Sequence, residues 1–230
     1  GGQVAMLYPE KHVYDIGGLP GISGKELIKN LTKQIEIFPP TISLDCRVQD
    51  IVKDGDLFNV KTSRGEVVGK SVLVTTGQGS FTPRKLPLEN AEKYEEKNLH
   101  YYVKNLEQFR GKKVVILGGG DSAVEWALLL SEVAEKVQLV HRRDKFRAHE
   151  ALVKQLENSA VEIITPFVPV NLKADDESIQ SIVMKEARGE KEIELPLDEL
   201  IVSYGFAYSS RDLANWGLEV KRGQMVVDST

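Results

Sequence analysis

Cysteine is nearly absent from this sequence, because the single one among 230 residues is Cys46. One cysteine cannot form a disulfide within the chain, and it cannot supply a C-x-x-C pair for dithiol redox chemistry. A low cysteine content is typical of proteins that work in a reducing compartment. We therefore expect a cytoplasmic protein whose chemistry does not use a thiol pair of its own.

The sequence also lacks an excess of positive charge and a long apolar run. Its formal net charge is −4 and its isoelectric point is near 5.7, which argues against the basic face that non-specific nucleic-acid binding needs. No segment approaches the roughly 20 apolar residues that span a bilayer. We expect no nucleic-acid partner, no membrane partner and no metal site.

Glycine is concentrated where a predicted buried strand, residues 112–117, runs into a turn and then a helix. In that arrangement Gly118 permits the tight turn, Gly120 lets a pyrophosphate approach the backbone, and Ala123 keeps the helix close to the strand. The helix N-terminus directs free N–H groups and the positive end of its dipole at phosphate groups. The candidate cofactor-binding residues of this turn are Gly118, Gly120, Asp121, Ser122 and Ala123.

Basic residues follow the next predicted strand, residues 137–140. NAD enzymes place an acidic residue about 20 positions past the glycines, where it binds the ribose hydroxyls. This chain has His141, Arg142 and Arg143 there, with Arg147 one helical turn further on. A carboxylate would repel a 2′-phosphate, whereas a guanidinium group binds it through two hydrogen bonds. A glycine turn or an arginine pair alone is common, and it is their spacing that predicts NADPH rather than NADH.

The chain falls into two halves of the same layout. In each half, short alternating strands joined by turns predict an antiparallel β-meander. An apolar strand ending in glycine closes each half, at 71–77 and at 200–205, and an amphipathic helix is predicted over 24–36. The predicted fold class is α/β, with two Rossmann-type dinucleotide-binding units whose crossovers are β-meanders. The first unit is incomplete, because no strand–glycine–helix motif precedes its meander.

Four motifs resemble, in order and spacing, those of the thioredoxin-reductase-like flavoproteins, and most closely those of the type 2 ferredoxin–NADP reductases of bacteria. They are Gly1-Gly2-Gln3, Thr75-Thr76-Gly77, G-G-G-D-S-A at 118–123, and H-R-R at 141–143 followed by Arg147. The resemblance covers essentially the whole chain.

This resemblance implies a flavin-dependent oxidoreductase. In the family, NADPH passes a hydride to FAD, and single electrons then go to ferredoxin or flavodoxin. The resemblance divides the chain into a partial FAD-binding domain over residues 1–84, an NADPH-binding domain over 85–206, and a return to the FAD-binding domain over 207–230. A homodimer is also expected from the family.

The resemblance further assigns residues to the flavin side. Gly2 and Gln3 match a loop that runs along the flavin, Tyr8 matches an aromatic residue that packs on its ring, and Asp15 matches a polar side chain at the ring edge. The other matches are Val48 beside the adenine, Gly77 close to the cofactor and Phe81 next to the flavin.

No catalytic residue is predicted. Hydride transfer to a flavin needs orientation rather than a proton relay, so a general acid or base is not required. His12, His100 and His149 have no carboxylate or serine context in the sequence that would indicate catalysis.

Two alternatives compete with the reductase hypothesis. Thioredoxin reductases carry a C-x-x-C pair inside the NADPH unit, which this chain lacks, although another flavoprotein of the group without the dithiol stays open. The second alternative is a non-catalytic NADPH-binding module, because the family's N-terminal G-x-G-x-x-G and C-terminal Gly-Asp segment are absent. We expect an internal portion of a longer enzyme, and its retention of FAD stays open.

Overall fold

A computed structural model of the chain describes residues 2–77, 80–209, 216–221 and 224–227. It divides into two compact units. The first comprises Gly1–Ile37 and Arg84–Gly205, and the second comprises Phe38–Pro83 and Phe206–Thr230. The first 37 residues therefore pack with residues 84–205. The assignment of residues 1–84, 85–206 and 207–230 to particular cofactors stays a prediction, because compactness does not report on ligands.

Strands and helices alternate along the first unit and strands dominate the second. The strands are β1 His12–Val13, β2 Ile22–Ser23, β3 Val48–Asp54, β4 Leu57–Thr62, β5 Gly65–Gly69, β6 Ser80–Pro83, β7 Leu99–His100, β8 Lys113–Gly118, β9 Lys136–Val140, β10 Glu162–Ile164, β11 Phe167–Ala174, β12 Ile179–Glu186, β13 Glu192–Pro196, β14 Glu199–Ser203, β15 Phe206–Ser209, β16 Val220–Lys221 and β17 Gln224–Met225. The α-helices are α1 Gly2–Leu7, α2 Gly24–Glu36, α3 Asp121–Leu130 and α4 Glu150–Glu157, and 3-10 helices span Ala91–Tyr94 and Leu106–Phe109.

A five-stranded sheet forms the centre of the first unit. Its strand order is β10-β9-β8-β14-β7, and every neighbouring pair is parallel. The chain runs outward from β8 through β9 to β10 and then returns to the other side of β8 as β14. In such a sheet the crevice where the strand order reverses, at the carboxyl ends of β8 and β14, is where ligands bind. The prediction of a Rossmann-type unit is confirmed.

The two faces of this sheet carry separate hydrophobic clusters. Val115 and Leu117 of β8 pack with the meander β11-β12-β13, whereas Val114 and Ile116 pack with α3 and α4. Successive residues of a strand point to opposite faces, so one apolar run supplies both clusters. This explains why β8 reads in the sequence as continuous apolar residues rather than as an alternation.

Two antiparallel meanders confirm the repeated layout. The second unit contains β3-β4-β5 and the first contains β11-β12-β13. One prediction is wrong: residues 71–76 are not a buried strand but lack regular structure, and Leu73 is 88% exposed. A buried strand needs hydrogen-bonding neighbours, and none of the described strands pairs with this segment.

The two connections between the halves form a ribbon that was not predicted. In it β6 and β15 pair antiparallel, with Phe206 opposite Pro83 and Ser209 opposite Ser80. A further antiparallel pair, β16 with β17, follows β15 in the sequence.

The start of the chain also differs from the prediction. Gly2 and Gln3 begin the short helix α1 rather than a loop, because Val4 accepts a hydrogen bond from Tyr8 and the segment then packs on α2. The predicted helix over 24–36 is confirmed as α2, where Ser23 and Glu26 form a capping box. None of the helices in the described ranges is long and apolar enough to cross a membrane.

Candidate functional site

The glycine turn after β8 is held by close backbone packing. A Cβ on Gly118 would lie 2.7 Å from the Cβ of Ala123 and 2.7 Å from the carbonyl oxygen of Ser203. Ala123 is completely buried. Only glycine therefore allows α3 to start this close to β8 and β14, which agrees with the predicted roles of Gly118 and Ala123.

Gly120 stands at the opening of the same turn and caps α3. Among the described residues, no atom lies within 4 Å of the position that its Cβ would occupy. Its carbonyl accepts the N–H groups of Ala123 and Val124, while Asp121 and Ser122 are exposed on the first turn of the helix. The space that a phosphate group needs at a helix N-terminus is thus present above Gly120.

The loop after β9 is bonded directly to the glycine turn. The N–H of Arg147 donates to the carbonyl of Gly119 at 2.8 Å, and the N–H of His149 donates to Oδ1 of Asp121 at 2.7 Å. A Cβ on Gly119 would lie 2.3 Å from the ring of His141. Sequence reasoning missed the role of Gly119, although its place between two functional glycines was a signal. The Asp121 carboxylate accepts the hydrogen bond from His149 that holds this loop, in addition to its predicted place near the phosphates.

His141 is a buried member of the basic loop. Its ring stacks on Phe146 with centroids 5.2 Å apart. Burial lowers the pKa of His141, and the positive charge of Arg142 lowers it further, with smaller contributions from Arg143 and Arg147. Nε2 of this ring is buried, and it has no hydrogen-bond partner among the described residues. A neutral imidazole with one unsatisfied polar atom therefore lies behind the arginines.

The three arginines form an exposed cationic patch at the tip of β9. Arg142, Arg143 and Arg147 all lie on the surface. Within the described ranges none of their guanidinium groups forms an ion pair with a carboxylate. Their hydrogen-bonding capacity is directed at solvent, where an anion could use it.

Tyr204 lies across the crevice, just beyond β14. Burial raises its pKa to about 12, although the charge of Arg142 acts in the opposite direction. The hydroxyl therefore stays protonated at neutral pH and can donate a hydrogen bond. The sequence did not single out Tyr204, and its position just before the glycine that ends the predicted strand over 200–205 was the available signal.

A cavity of about 520 Å³ in the first unit joins the two groups of predicted residues. Tyr8 and Asp15, which were assigned to the flavin side, line it together with Asp121 and Ser122 of the nucleotide turn. Its other lining residues are Lys11, His12, Val13, Tyr14 and Glu125. The cavity thus brings Tyr8 and Asp15 together with Asp121 and Ser122, which lie more than 100 positions further along the sequence.

The side chain of Lys11 connects the segment of residues 8–15 to α3. Lys11 pairs with Glu125, and its Nζ lies 5.2 Å from the ring centroid of Tyr8 and 5.3 Å from that of Trp126. Neither Lys11 nor Glu125 was predicted as a site residue. Each is an ordinary surface residue type, and only the tertiary contact distinguishes them.

Three of the predicted flavin-side residues lie in the second unit. Val48 begins β3 and is half-buried, and Gly77 has a φ of 58°, which favours glycine. Phe81 lies in β6, but its side chain is outside the described part of the structure. Their roles toward a ligand stay predictions.

One histidine contradicts the sequence prediction. His100 does have a carboxylate partner: its Nε2 lies 2.5 Å from Oε2 of Glu199, and Lys112 binds the other oxygen of that carboxylate. The sequence could not show this, because 99 positions separate His100 from Glu199. The cluster lies where β14 begins, at the opposite end of the sheet from the glycine turn, so its role is structural.

A family model described as pyridine nucleotide-disulphide oxidoreductase matches residues 16–229. The chain belongs to this family. Ferredoxin–NADP reductase 2 of Bacillus subtilis (strain 168) is 48% identical over 231 residues, which cover the whole chain and 69% of that relative. The protein of the same name from Oceanobacillus iheyensis is 46% identical and is covered to 70%. The resemblance to ferredoxin–NADP reductases is therefore confirmed.

Solved structures confirm the fold. Lactococcus lactis thioredoxin reductase, described as the FR conformation, matches the whole chain and 74% of its own, with a TM-score of 0.83 and 27% identity. The thioredoxin reductase of T. acidophilum has a TM-score of 0.85 at 23% identity, with the same coverage. These matches show that the chain shares the fold of those proteins.

Proposed function

We propose that the chain forms the NADPH-binding and flavin-facing part of a ferredoxin–NADP reductase. FAD, when bound, would supply the redox chemistry: it would take up a hydride from NADPH and would then release two electrons, one at a time, to ferredoxin or flavodoxin, together with one proton. The printed name of these relatives, ferredoxin–NADP reductase 2, supports NADPH as the nucleotide and ferredoxin as the electron acceptor. The homodimer and the cytoplasmic location stay predictions.

The single observation that carries this proposal is the bonded junction between the glycine turn and the arginine loop. The hydrogen bond from Arg147 to Gly119 places a cationic patch beside a helix N-terminus with open space above Gly120. The helix N-terminus suits a pyrophosphate, and the cationic patch suits a 2′-phosphate. The residues that would hold NADPH are Gly118, Gly120, Asp121, Ser122, Ala123, His141, Arg142, Arg143 and Arg147.

The cavity beside α3 fits the flavin side of the proposal. A flat aromatic ring system with polar edges needs an aromatic surface and a few polar groups, and Tyr8 and Asp15 supply both in the lining of this cavity. Gly2 and Gln3 precede these residues in α1. Val48, Gly77 and Phe81 are proposed contacts from the second unit, on the strength of their match to the family motifs.

Nucleotide selectivity tests the proposal. We expect Arg142→Ala to weaken NADP⁺ binding by about 1.5–3 kcal/mol, because a charged hydrogen bond to phosphate is lost. NAD⁺ binding should hardly change, since NAD⁺ lacks the 2′-phosphate. Titration calorimetry with both nucleotides measures the difference, and Arg188→Ala, an exposed arginine in the β12–β13 turn, is the matched control. Equal losses for both nucleotides would refute the placement of the 2′-phosphate.

A non-catalytic NADPH-binding module is the second candidate. The exposure of residues 71–76 favours it, because this segment was predicted to be the buried strand that leads to Gly77, the glycine expected close to the flavin cofactor. The absorbance spectrum of the purified chain separates the candidates. A yellow protein that NADPH bleaches and ferredoxin re-oxidises supports the reductase, whereas a colourless protein that still binds NADPH supports the module.

A further inference from the structure

We propose that Lys11 and Glu125 are positioning residues whose ion pair sets the separation between the flavin ring and the nicotinamide. The inference rests on the proposed function, since it assumes that both ligands meet at the cavity beside α3. It concerns how the loop of residues 8–15, the flavin-side loop, is fixed to the nucleotide-side helix.

The ammonium group of Lys11 is confined on several sides. Its side chain is 12% exposed and that of Glu125 is 32% exposed. The rings of Tyr8 and Trp126 both lie within cation–π distance of Nζ. Trp126 is itself buried in the cluster beneath α3, so the cation is anchored to a rigid part of the unit.

The backbone of the flavin-side loop is bonded to α2. The carbonyl of Lys11 accepts the N–H of Gly24 at 2.9 Å, and the carbonyl of Pro9 accepts the N–H of Lys25 at 2.9 Å. A Cβ on Gly24 would lie 2.3 Å from the carbonyl oxygen of Tyr8, so this approach requires glycine. Loss of the ion pair would therefore release the loop from α3 while leaving it attached to α2.

Stability alone does not account for this pair. Taking two charges out of water costs about as much as their attraction returns, and an apolar pair of similar size is often equally stable. What an ion pair between two rings provides is a defined geometry. Tyr8 and Asp15 line the cavity from the segment that carries Lys11, and Asp121 and Ser122 line it from the helix that carries Glu125, so the pair connects the two segments that line the cavity.

Hydride transfer is sensitive to such a distance. Reacting atoms must approach to about 3–3.5 Å, and a displacement of about 1 Å can slow a reaction about 100-fold. Loosening the flavin-side loop should therefore slow flavin reduction without weakening the contacts of NADPH at the arginine patch, which lie at the other end of the nucleotide.

The test uses Lys11→Met and Glu125→Gln, with Lys11→Arg as the conservative variant, in the FAD-loaded protein. We expect flavin reduction by NADPH in stopped flow to slow about 10- to 100-fold in Lys11→Met and in Glu125→Gln, with the NADP⁺ dissociation constant unchanged. The long-wavelength charge-transfer absorbance between nicotinamide and flavin should weaken in parallel. Lys11→Arg should keep most of the rate, because it keeps a cation opposite Glu125 and over the two rings.

Lys85→Met is the matched control. Lys85 also pairs with a glutamate, Glu95, and its Nζ lies 4.5 Å from the ring centroid of Tyr101, but it is not part of the cavity lining. Its substitution should leave the reduction rate and the charge-transfer band unchanged. Equal slowing in this control would show a general loss of stability and would overturn the positioning role.

A measurement without cofactor tests the geometry by itself. In a Trp216→Phe background Trp126 is the only tryptophan, and Glu125→Gln should increase its quenching by acrylamide because Lys11 no longer covers the ring. Unchanged quenching in Glu125→Gln, or an undiminished rate of flavin reduction in Lys11→Met and Glu125→Gln, would overturn the inference. A wild-type protein that NADPH cannot reduce would instead refute the proposed function, while the quenching result still reports on the ion pair.

Discussion

The two β-meanders follow one sequence pattern and differ sharply in burial. In β3-β4-β5, Val52, Val67 and Val68 are 52%, 61% and 58% exposed. In β12 of the other meander, Ile182 and Met184 are completely buried. Both meanders pair in antiparallel register, and each has an irregularity early in its first strand pair.

Packing partners account for the difference. The meander β11-β12-β13 covers one face of the parallel sheet and contacts Val115 and Leu117 of β8. Both clusters of buried apolar residues lie in the first unit, and none of the described apolar side chains of the second unit is buried. Alternation in a sequence defines which face of a strand is apolar, but what covers that face is a property of the rest of the fold.

Matched core substitutions would test this comparison most strongly. Ile182→Ala should lower the free energy of unfolding by about 2–5 kcal/mol, because it leaves a cavity in a packed core. Val67→Ala in the other meander should change it by less than about 0.5 kcal/mol, because that side chain is exposed. Chemical denaturation of both variants measures the values, and similar losses would show that the two meanders are equally packed.

The segments that close the two halves, residues 71–77 and 199–205, differ at the start, and a pH experiment can use this difference. Burial disfavours the Glu199 carboxylate, but hydrogen bonds from His100 and Lys112 outweigh burial and lower its pKa below the ordinary 4.5. The ionised folded state is therefore favoured above pH 4.5, and this stability is lost as the pH falls through the lowered pKa. Exposed Ser71, at the corresponding point of the first half, offers no such carboxylate.

We expect Glu199→Gln to cost about 1.5–3 kcal/mol at neutral pH, since hydrogen bonds to a charged group are lost. It should also flatten the fall in stability below pH 4.5. Glu194→Gln, which removes the pair with Lys173 on the surface, should have a much smaller effect because water screens that pair. A Glu199→Gln variant with the wild-type pH profile would contradict the assignment.

The smallest expected effect concerns a feature that the two halves share. Gly77 and Gly205 close the two halves with φ of 58° and 86°, and no atom of the part of the chain that the structure describes lies within 4 Å of a potential Cβ at either position. Gly77→Ala and Gly205→Ala should therefore each cost about 1–2 kcal/mol, from backbone strain alone. Thermal unfolding of the two variants should give similar shifts, and a large difference would indicate an additional contact at one of them.

Local patterns predicted much of the first unit. The strands β8, β9, β12 and β14 and the helix α3 lie close to where the periodicity and the glycine turn placed them. The arginine loop also lies beside the turn. Local chemistry suffices here, because a continuous apolar run, a glycine and a helix start are all encoded within about 20 residues of each other.

Predictions failed where an outcome depended on distant partners. Residues 71–76 have the composition of a buried strand, but no described strand pairs with them. The sequence around His100 did not indicate that Glu199, 99 positions away, binds it. Lys11 carried no signal, since its partners are near it only after folding.

The sequence by itself determined the order of most strands and helices and the layout in two halves. It also determined that a cationic loop follows the glycine turn by about 20 residues. These features follow from short-range periodicity and from the chemistry of the residues. Only the tertiary structure decided which apolar faces are covered, that Gly119 makes room for the ring of His141, and that Lys11 fastens the flavin-side loop to α3. Such contacts join segments up to 114 positions apart. Their energies depend on the separation of atoms in space, which spacing along the chain does not contain.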